Sequence, residues 1–514
     1  MMLPRKLLRG LTTRTPEAQA AKAAKRPLLR GVIKGRYDAA QTTDENRRHW
    51  AGADHLGPDA ATNPRVRATL RSRARYEVAN NSYARGIVLT LANDTVGTGP
   101  RLQMLTDDPQ ANTVIEQAFM RWCRAVNLSE KLRTMRMARA ESGEAFAVFT
   151  NNPNVASEVT LDLKLIEPDQ VTTPVFSGRE PKNPLGRQAN DGIVYDSHGN
   201  PVEYCILRSH PGETARGGYP MQYDRVPAES VIHLFRPDRP GQTRGVPELT
   251  PALPLFAQLR RYRLAVLAAA ETAADFALAL YTDSPANGEP DAVEPLDVFE
   301  LEARMATTLP QGWKLGQVKA EHPSTNHVEF VMSILAEIAR CLNMPFNVAA
   351  GNSSGYNYAS GRLDHQTYYK AIRGDQAQIA HTVLDRILAA WLNEAVLVEG
   401  LLPQWMRQRN AIKDIAYAAQ WFWDGTEHVD PNKEANAQAT RLKNHTTTLA
   451  NEYAKQGRDW ETELRQRSKE IALMSELGLS LEDAPPPESP PESAPESSRS
   501  TEPAASTKDD EDDA

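Results

Sequence analysis

Residues 326–342 carry the pattern that most restricts how this chain can fold. Val328, Val331, Leu335, Ile338 and Leu342 recur at spacings of 3, 4, 3 and 4, which is one face of an α-helix. Asn326 followed three residues later by Glu329 is a capping pattern at its start. The opposite face carries Glu329, Ser333 and Glu337. The periodicity stops at Pro345 and gives way to Asn347–Gly361 (NVAAGNSSGYNYASG), rich in Gly, Asn, Ser and Tyr and devoid of Lys, Arg and acid. Arg362 then opens a polar helix. A helix, a flexible loop and a helix suit a surface that touches something long and charged without gripping it, although composition alone also fits a plain helical hairpin.

A second long pattern lies upstream. Leu255, Leu259, Tyr262, Val266, Ala270, Ala273, Ala277 and Leu280 form an apolar stripe over Ala252–Tyr281, a helix of about 45 Å. Between the two helices, 282–325 reads as a compact insert: a Pro/Gly-rich turn, an acidic amphipathic piece and a strand at Trp313–Val318. Two helices bracketing a small module make a stalk with a foot. Earlier in the chain, helices are expected from Pro64 to about Asn93, at Pro109–Ala125 and at Ser129–Gly143. Short strands follow at Ala145–Thr150, Leu161–Ile166, Gly192–Tyr195, Pro201–Leu207 and Val231–Phe235. The class is α+β and mainly helical, without the βαβ alternation of a nucleotide-binding sheet.

Charge is distributed unevenly along the 514 residues, whose net is −7. Residues 1–36 hold ten Lys/Arg against Glu17, and 481–514 hold eleven acids against two bases. Both ends are expected to be disordered. Cys123, Cys205 and Cys341 are far apart and odd in number, which leaves no disulfide framework or CxxC metal pair and makes a reducing compartment the default. The N-terminal stretch lacks a continuous apolar core of the signal-peptide kind. The longest apolar run, Leu264–Tyr281, is broken by Glu271 and Asp275, which argues against a membrane span.

Several motifs invite chemical readings. Arg65, Arg67, Arg71, Arg73 and Arg75 on one helix fit either a nucleic-acid patch or a face paired with a neighbour's acids. Gly351–Gly355 (GNSSG) matches the G-x-S-x-G nucleophile elbow. That elbow needs a strand before the serine and a helix directly after it, whereas here an amphipathic helix and Pro345 come first, leaving Phe346–Ala350 as a short strand at most. A serine hydrolase is therefore a remote alternative, and no catalytic residue is assigned. His322 and His327 with Glu329, and Asp364 with His365 and His381, lack HExxH spacing and a Cys partner, so no metal and no cofactor is expected. There is no GxxxxGK[ST] phosphate loop.

Five stretches occur together in an order that resembles the lambda-type bacteriophage portal proteins, the head–tail connectors of the capsid. They are RSRARYEVANNSYARGIVLTLANDTVGTGPRLQ, LKLIEPDQV, VIHLFRPDRPGQTRGVPEL, the Pro345–Arg373 loop and helix, and HVDPNKEANAQATRLKNHTTTLANEYAKQGRD, together spanning roughly 36–475. RPGQTRGVPEL ahead of a long helix is the strongest single match. The resemblance implies a non-enzymatic ring, usually a dodecamer, at one capsid vertex, where double-stranded DNA passes in packaging and ejection. It implies as partners the terminase large subunit, the major capsid and scaffold proteins and a head–tail connector protein, with no membrane. It implies location in the virion at the portal vertex, and in host cytoplasm during assembly. The portal-type fold it implies has a wing (36–249), paired stem helices (250–281 and 326–344), a small α/β clip (282–325), a tunnel loop (345–361), a tunnel helix and wing return (362–424) and a helical crown (425–480). A basic arm (1–35) and an acidic tail (481–514) flank these parts.

A conduit must not trap a polyanion, because every cation on a phosphate adds affinity. Asn352, Ser353, Ser354, Tyr356, Asn357 and Tyr358 of the loop, with Glu329 and Glu337 of the preceding helix, are the residues expected to face the DNA path. The alternative from another class is a sequence-independent DNA-binding or capsid scaffold protein that uses the basic arm and the Arg-rich helix.

Overall fold

The computed structural model describes residues 40, 43–44, 46–173, 189–213, 222–275, 279–282, 313–316, 326–355, 357–407, 416, 418–425 and 431–479. The two charged ends, most of 282–325, and Tyr356 lie outside these residues.

Helix α1 (Pro64–Asn80) begins where Asn63 accepts hydrogen bonds from the amides of Arg65 and Val66, with Pro64 at the first helical position. The expected single helix to Asn93 is divided. Asn81 is extended, and its side chain accepts the Tyr83 amide to start α2 (Ser82–Val96). Strand β1 (Arg101–Met104), α3 (Pro109–Ala125) and α4 (Leu128–Ser142) follow. The strands β2 (Glu144–Asn151), β3 (Leu161–Ile166), β4 (Ala189–Asn190), β5 (Ile193–Tyr195), β6 (Pro201–Leu207), β7 (Tyr223–Pro227) and β8 (Val231–Phe235) form two antiparallel sheets, ordered β3-β2-β8 and β4-β5-β6-β7. This is the α+β, mainly helical architecture that the patterns indicate.

Helix α5 (Leu253–Asp275) is shorter than its stripe suggests, and Ala279–Thr282 is strand β9, paired antiparallel with β10 (Trp313–Gly316). Cross-strand pairing there overrides a helical pattern made largely of alanine. Helix α6 (Asn326–Cys341) runs back along α5, with Tyr262 packing on His327 and Phe330 at ring-centroid distances of 5.3 and 4.4 Å. Only the inner half of this pair is sunk in the core. Phe256, Leu259, Leu335 and Ile338 are buried, whereas Leu264, Leu267 and Val328 are each more than half exposed. Val328 thus departs from the buried stripe assigned to it, because the pair leaves the body at that end.

Beyond α6 come α7 (Phe346–Ala350), α8 (Tyr358–Ile379), a π-turn at Ala380–Leu384 and α9 (Asp385–Ala395). Strand β11 (Ala419–Phe422) pairs with β1 across more than 300 residues of chain. The last helices are α10 (Pro431–Lys443), α11 (Leu449–Lys455) and α12 (Trp460–Glu476). One core gathers α3, α4, β2 and α9 around Trp122, Phe119 and Trp391, with Phe119 edge-on to Trp391 at 5.3 Å. A second joins α1, α2, α5, α6, α7 and α8 around Phe256, Ile338 and Tyr368.

Buried ion pairs lock these cores together through the segment Gln242–Glu248. Arg244 is fully buried, holds both oxygens of buried Glu144 (2.7 and 3.0 Å) and reaches the Pro168 and Val171 carbonyls. Arg71, His233 and the Gly245 amide also meet Glu144. Burial pushes the Glu144 carboxyl up, but Arg244 and the His233 hydrogen bond hold it well below the carboxylate range. Four residues on, Glu248 binds Arg136 (3.0 Å) and Arg139 (2.8 Å), which also clasp Asp375 of α8. Burial opposes ionisation here too, and Arg136, Arg139 and Arg236 bring Glu248 down to about 2. Gly143 and Gly245 let the two backbones touch, since a Cβ on Gly245 would lie 2.1 Å from the Gly143 carbonyl oxygen.

The C-terminal helices are fastened by backbone contact. Asp424 accepts from the Thr98 hydroxyl (2.6 Å), and Asp459, the N-cap of α12, accepts from Gln103 of β1 (2.7 Å). A Cβ on Gly457 would sit 2.4 Å from the Trp423 carbonyl oxygen, so the turn at Gly457–Asp459 is seated directly on Trp423–Gly425. Glu116 lies beneath and accepts the Met104 amide (2.7 Å). Burial raises its carboxyl to about 7, and the nearby Asp459 and Glu461 add to the rise.

Two outcomes follow from these charges. Arg244→Met strands a buried carboxylate and costs about 3–5 kcal/mol, to be read as a shift in urea unfolding; an unchanged midpoint contradicts the role of the pair. The pH terms of the two glutamates have opposite signs. Glu248 stabilises above its unfolded value near 4.5, and that contribution is lost as pH falls toward 2. Glu116 contributes below 4.5 and loses its contribution as pH rises through about 7, so Glu116→Gln gains in Tm relative to the parent between pH 5.5 and 8. Thermal scans across that range test it, and a pH-independent difference contradicts it.

Candidate functional site

The charge-free stretch is less of a loop than its composition suggests. Phe346–Ala350 is the short helix α7, not a strand, and it closes at Gly351, which adopts the left-handed conformation with φ of 63°. Asn352 returns its amide to the Asn347 carbonyl (3.0 Å) and accepts the Ser354 amide on its side chain (2.9 Å). Helix α8 starts at Tyr358, earlier than Arg362, because Asn357 caps it by accepting from the Ser360 amide (2.9 Å). The described part of the connection is therefore 351–355 and 357. Asn352, Ser353, Ser354 and Asn357 are all exposed on it. Tyr356 lies outside the described residues, and Tyr358 opens α8.

What the sequence pattern did not reveal is how the connection is held. Asn347 of α7 is buried, and its amide nitrogen lies 3.1 Å from His365 Nε2 on α8. One turn further, the Tyr368 hydroxyl donates to Asp94 of α2 (2.7 Å). Burial raises the Asp94 carboxyl against the opposing pull of Tyr368 and His365; burial and Asp94 together raise the Tyr368 phenol. The 365/368 spacing on α8 was the available signal, but its partners on α2 and α7 are set only by the fold.

Glu329, Ser333 and Glu337 form one exposed row on α6, and Glu329 and Glu337 have no ion-pair partner among the described residues. A second row lies on the outer face of α8. Arg362, Gln366, Lys370 and Arg373 are all exposed, and its three cations are likewise unpaired among the described residues.

The chemical alternatives find little geometry. Ser353 sits in an exposed turn between two helices, without the strand-to-helix turn of a nucleophile elbow. His327 stacks on Tyr262, His365 meets Asn347 and His381 meets Asp385 (3.1 Å), while His322 lies outside the described residues. Glu167, Asp169 and His210 do converge, but Arg75 bridges both acids (3.2 and 2.9 Å) and Arg71 binds Asp169 (2.9 Å), so cations of the protein already occupy that charge. Arg67 pairs with Asp191, so three of the five arginines of α1 are committed to acids within the fold. No helix among the described residues is long and apolar enough to cross a membrane.

Comparison with known proteins points one way. The family profile described as "Phage portal protein, lambda family" matches residues 44–376. A "Probable portal protein" of Halomonas phage phiHAP-1 is 27% identical over 490 residues, covering 90% of each chain. "Portal protein B" of Escherichia phage lambda is 21% identical over 480 residues, covering 82% of this chain and 86% of that one. Among solved structures, a chain from "Neck of empty GTA particle computed with C6 symmetry" aligns with a TM-score of 0.43 at 16% identity, over 68% of this chain and 87% of that one. One from "Neck of native GTA particle computed with C12 symmetry" gives 0.42 at 15%, over 77% and 94%.

The Asn347–His365 contact makes the hold on the connection testable. Asn347→Ala removes one part-buried hydrogen bond, worth about 1 kcal/mol, and should speed amide exchange across 346–357 about five-fold. Hydrogen exchange read by mass spectrometry checks this, and unchanged protection there would contradict it.

Proposed function

The chain belongs to the lambda family of phage portal proteins, and from that premise we propose that copies of it close into a ring at one capsid vertex, through which double-stranded DNA is packaged and later ejected. The observation that carries the reading to named residues is the exposed, uncharged connection between α7 and α8, rooted where the α5/α6 pair enters the core. On this reading Asn352, Ser353, Ser354, Tyr356, Asn357 and Tyr358 line the DNA path. Hydroxyl and amide groups can exchange hydrogen bonds with phosphates while adding little of the salt-linked affinity that cations bring. The residues fastened by the Glu144 and Glu248 networks form the wing, α5 and α6 the stem, β9 and β10 part of the clip, and α10–α12 the crown.

The family is a structural one, and its members are virion components. ATP hydrolysis then falls to a terminase large subunit docked on the ring, with capsid, scaffold and connector proteins as the other partners. The reading as a plain DNA-binding protein draws less support, since Arg67, Arg71 and Arg75 are committed to Asp191, Asp169 and Glu167.

Native mass spectrometry with negative-stain imaging tests the ring. A closed assembly of about twelve chains, with a hole wide enough for duplex DNA, is expected for a symmetric heterologous contact. A chain that stays monomeric at high concentration with capsid and scaffold protein present overturns the reading. Within such a ring, Ser353→Lys with Ser354→Lys adds a belt of cations to the path and should slow packaging without altering the ring. Packaging at the parental rate would remove the loop from the DNA path.

A further inference from the structure

The two exposed rows on α6 and α8 match each other. On α6 the order is Glu329, Ser333, Glu337; on α8 it is Arg362, Gln366, Lys370. Each row repeats every four residues, so each spans two turns and about 12 Å along one helix face. Each is charged at its ends and polar in the middle, and the charges are opposite. None of the four charged groups has an ion-pair partner among the described residues. The buried arginines and glutamates of the chain are paired within it, whereas these four exposed groups are left to meet charges from outside.

We propose that the α6 row of one copy packs against the α8 row of the next copy around the ring. The inference rests on the ring proposed above and names the contact that closes it. An antiparallel register sets Glu337 against Arg362, Ser333 against Gln366 and Glu329 against Lys370. It also carries Arg340 and Arg373, the next exposed cations on each row, to opposite ends of the contact, whereas a parallel register sets them together. Because the rows lie on different helices of one chain, the contact is heterologous and propagates from copy to copy until it closes. This assigns Glu329 and Glu337 to the subunit interface, in place of the DNA path that sequence considerations suggested for them.

Charge exchange in the full chain tests the pairing. The acid-reversed variant (Glu329→Lys with Glu337→Lys) and the base-reversed variant (Arg362→Glu with Lys370→Glu) each put like charges in every contact and should lower the ring fraction about ten-fold or more in native mass spectra. The four-fold exchange should recover the ring, and an equimolar mixture of the two reversed variants should co-assemble in alternation, giving even-numbered rings. Reversed variants that form rings like the parent overturn the pairing and leave the ring reading standing. An acid-reversed ring that forms normally but stalls in packaging returns the two acids to the channel. A parent chain that forms no ring overturns both readings together. Should a reversed variant fail to fold by circular dichroism, Glu337→Cys with Arg362→Cys replaces it. A short bismaleimide should then give a ladder of covalent multimers above the parent's background, and no ladder overturns the pairing.

Discussion

Everything else in this molecule hangs on a carboxylate that could not be buried alone. Glu144 sits at the start of β2 with no exposure, where an isolated charge would be prohibitively costly. Arg244 meets it with a two-pronged guanidinium, His233 and the Gly245 amide complete its hydrogen bonds, and Arg71 brings in α1. Four residues later the same strand of chain supplies Glu248 to Arg136 and Arg139 of α4, and through them to Asp375 of α8. One short segment thereby sets the sheet, α1, α4 and α8 in a single frame. Such networks add little net stability over an apolar core, but they tolerate few alternative arrangements. A part that must hold its shape while a polymer moves past it gains more from that intolerance than from extra free energy.

The frame also explains how the α5/α6 pair can project. Phe256, Leu259, Leu335 and Ile338 bury the roots of α5 and α6, while Leu264, Leu267 and Val328 remain exposed further out. A helix pair of this length stands up only if its base is immobile, and the base is where Cys341 donates to the Glu248 carbonyl at 3.5 Å. The connection after α7 is held from the same base by Asn347 and His365. Its exposed residues can yield locally without loosening the helices on either side.

The parts legible in the sequence were those written in short-range pattern. The helices at 109–125 and 326–341 and the strands at 161–166, 201–207 and 231–235 follow from periodicity and turn residues alone. What was not legible depended on partners distant in the chain. Residues 101–104 and 419–422 become strands only because each finds the other. Ala279–Thr282 gives up a helical pattern for Trp313–Gly316 in the same way. The Arg-rich run of α1 was ambiguous because its acids, Asp169 and Asp191, lie about a hundred residues away. At the candidate site the uncharged composition was plain, whereas the capping by Asn357 and the anchor at Asn347 required the fold.

The two outward rows are set by this same frame. Ile334, Leu335 and Ile338 of α6 and Tyr368 and Ile372 of α8 belong to one buried cluster, so the rows on their opposite faces cannot turn relative to each other. In a heterologous ring the angle between the two contacting surfaces of a copy decides how many copies close the circle. Surface ion pairs are individually weak, at about 0–1 kcal/mol each, and they cannot impose that angle. The core imposes it. On the pairing proposed between copies, the charges select the register, and the number of copies is a property of how two helices leave one apolar cluster.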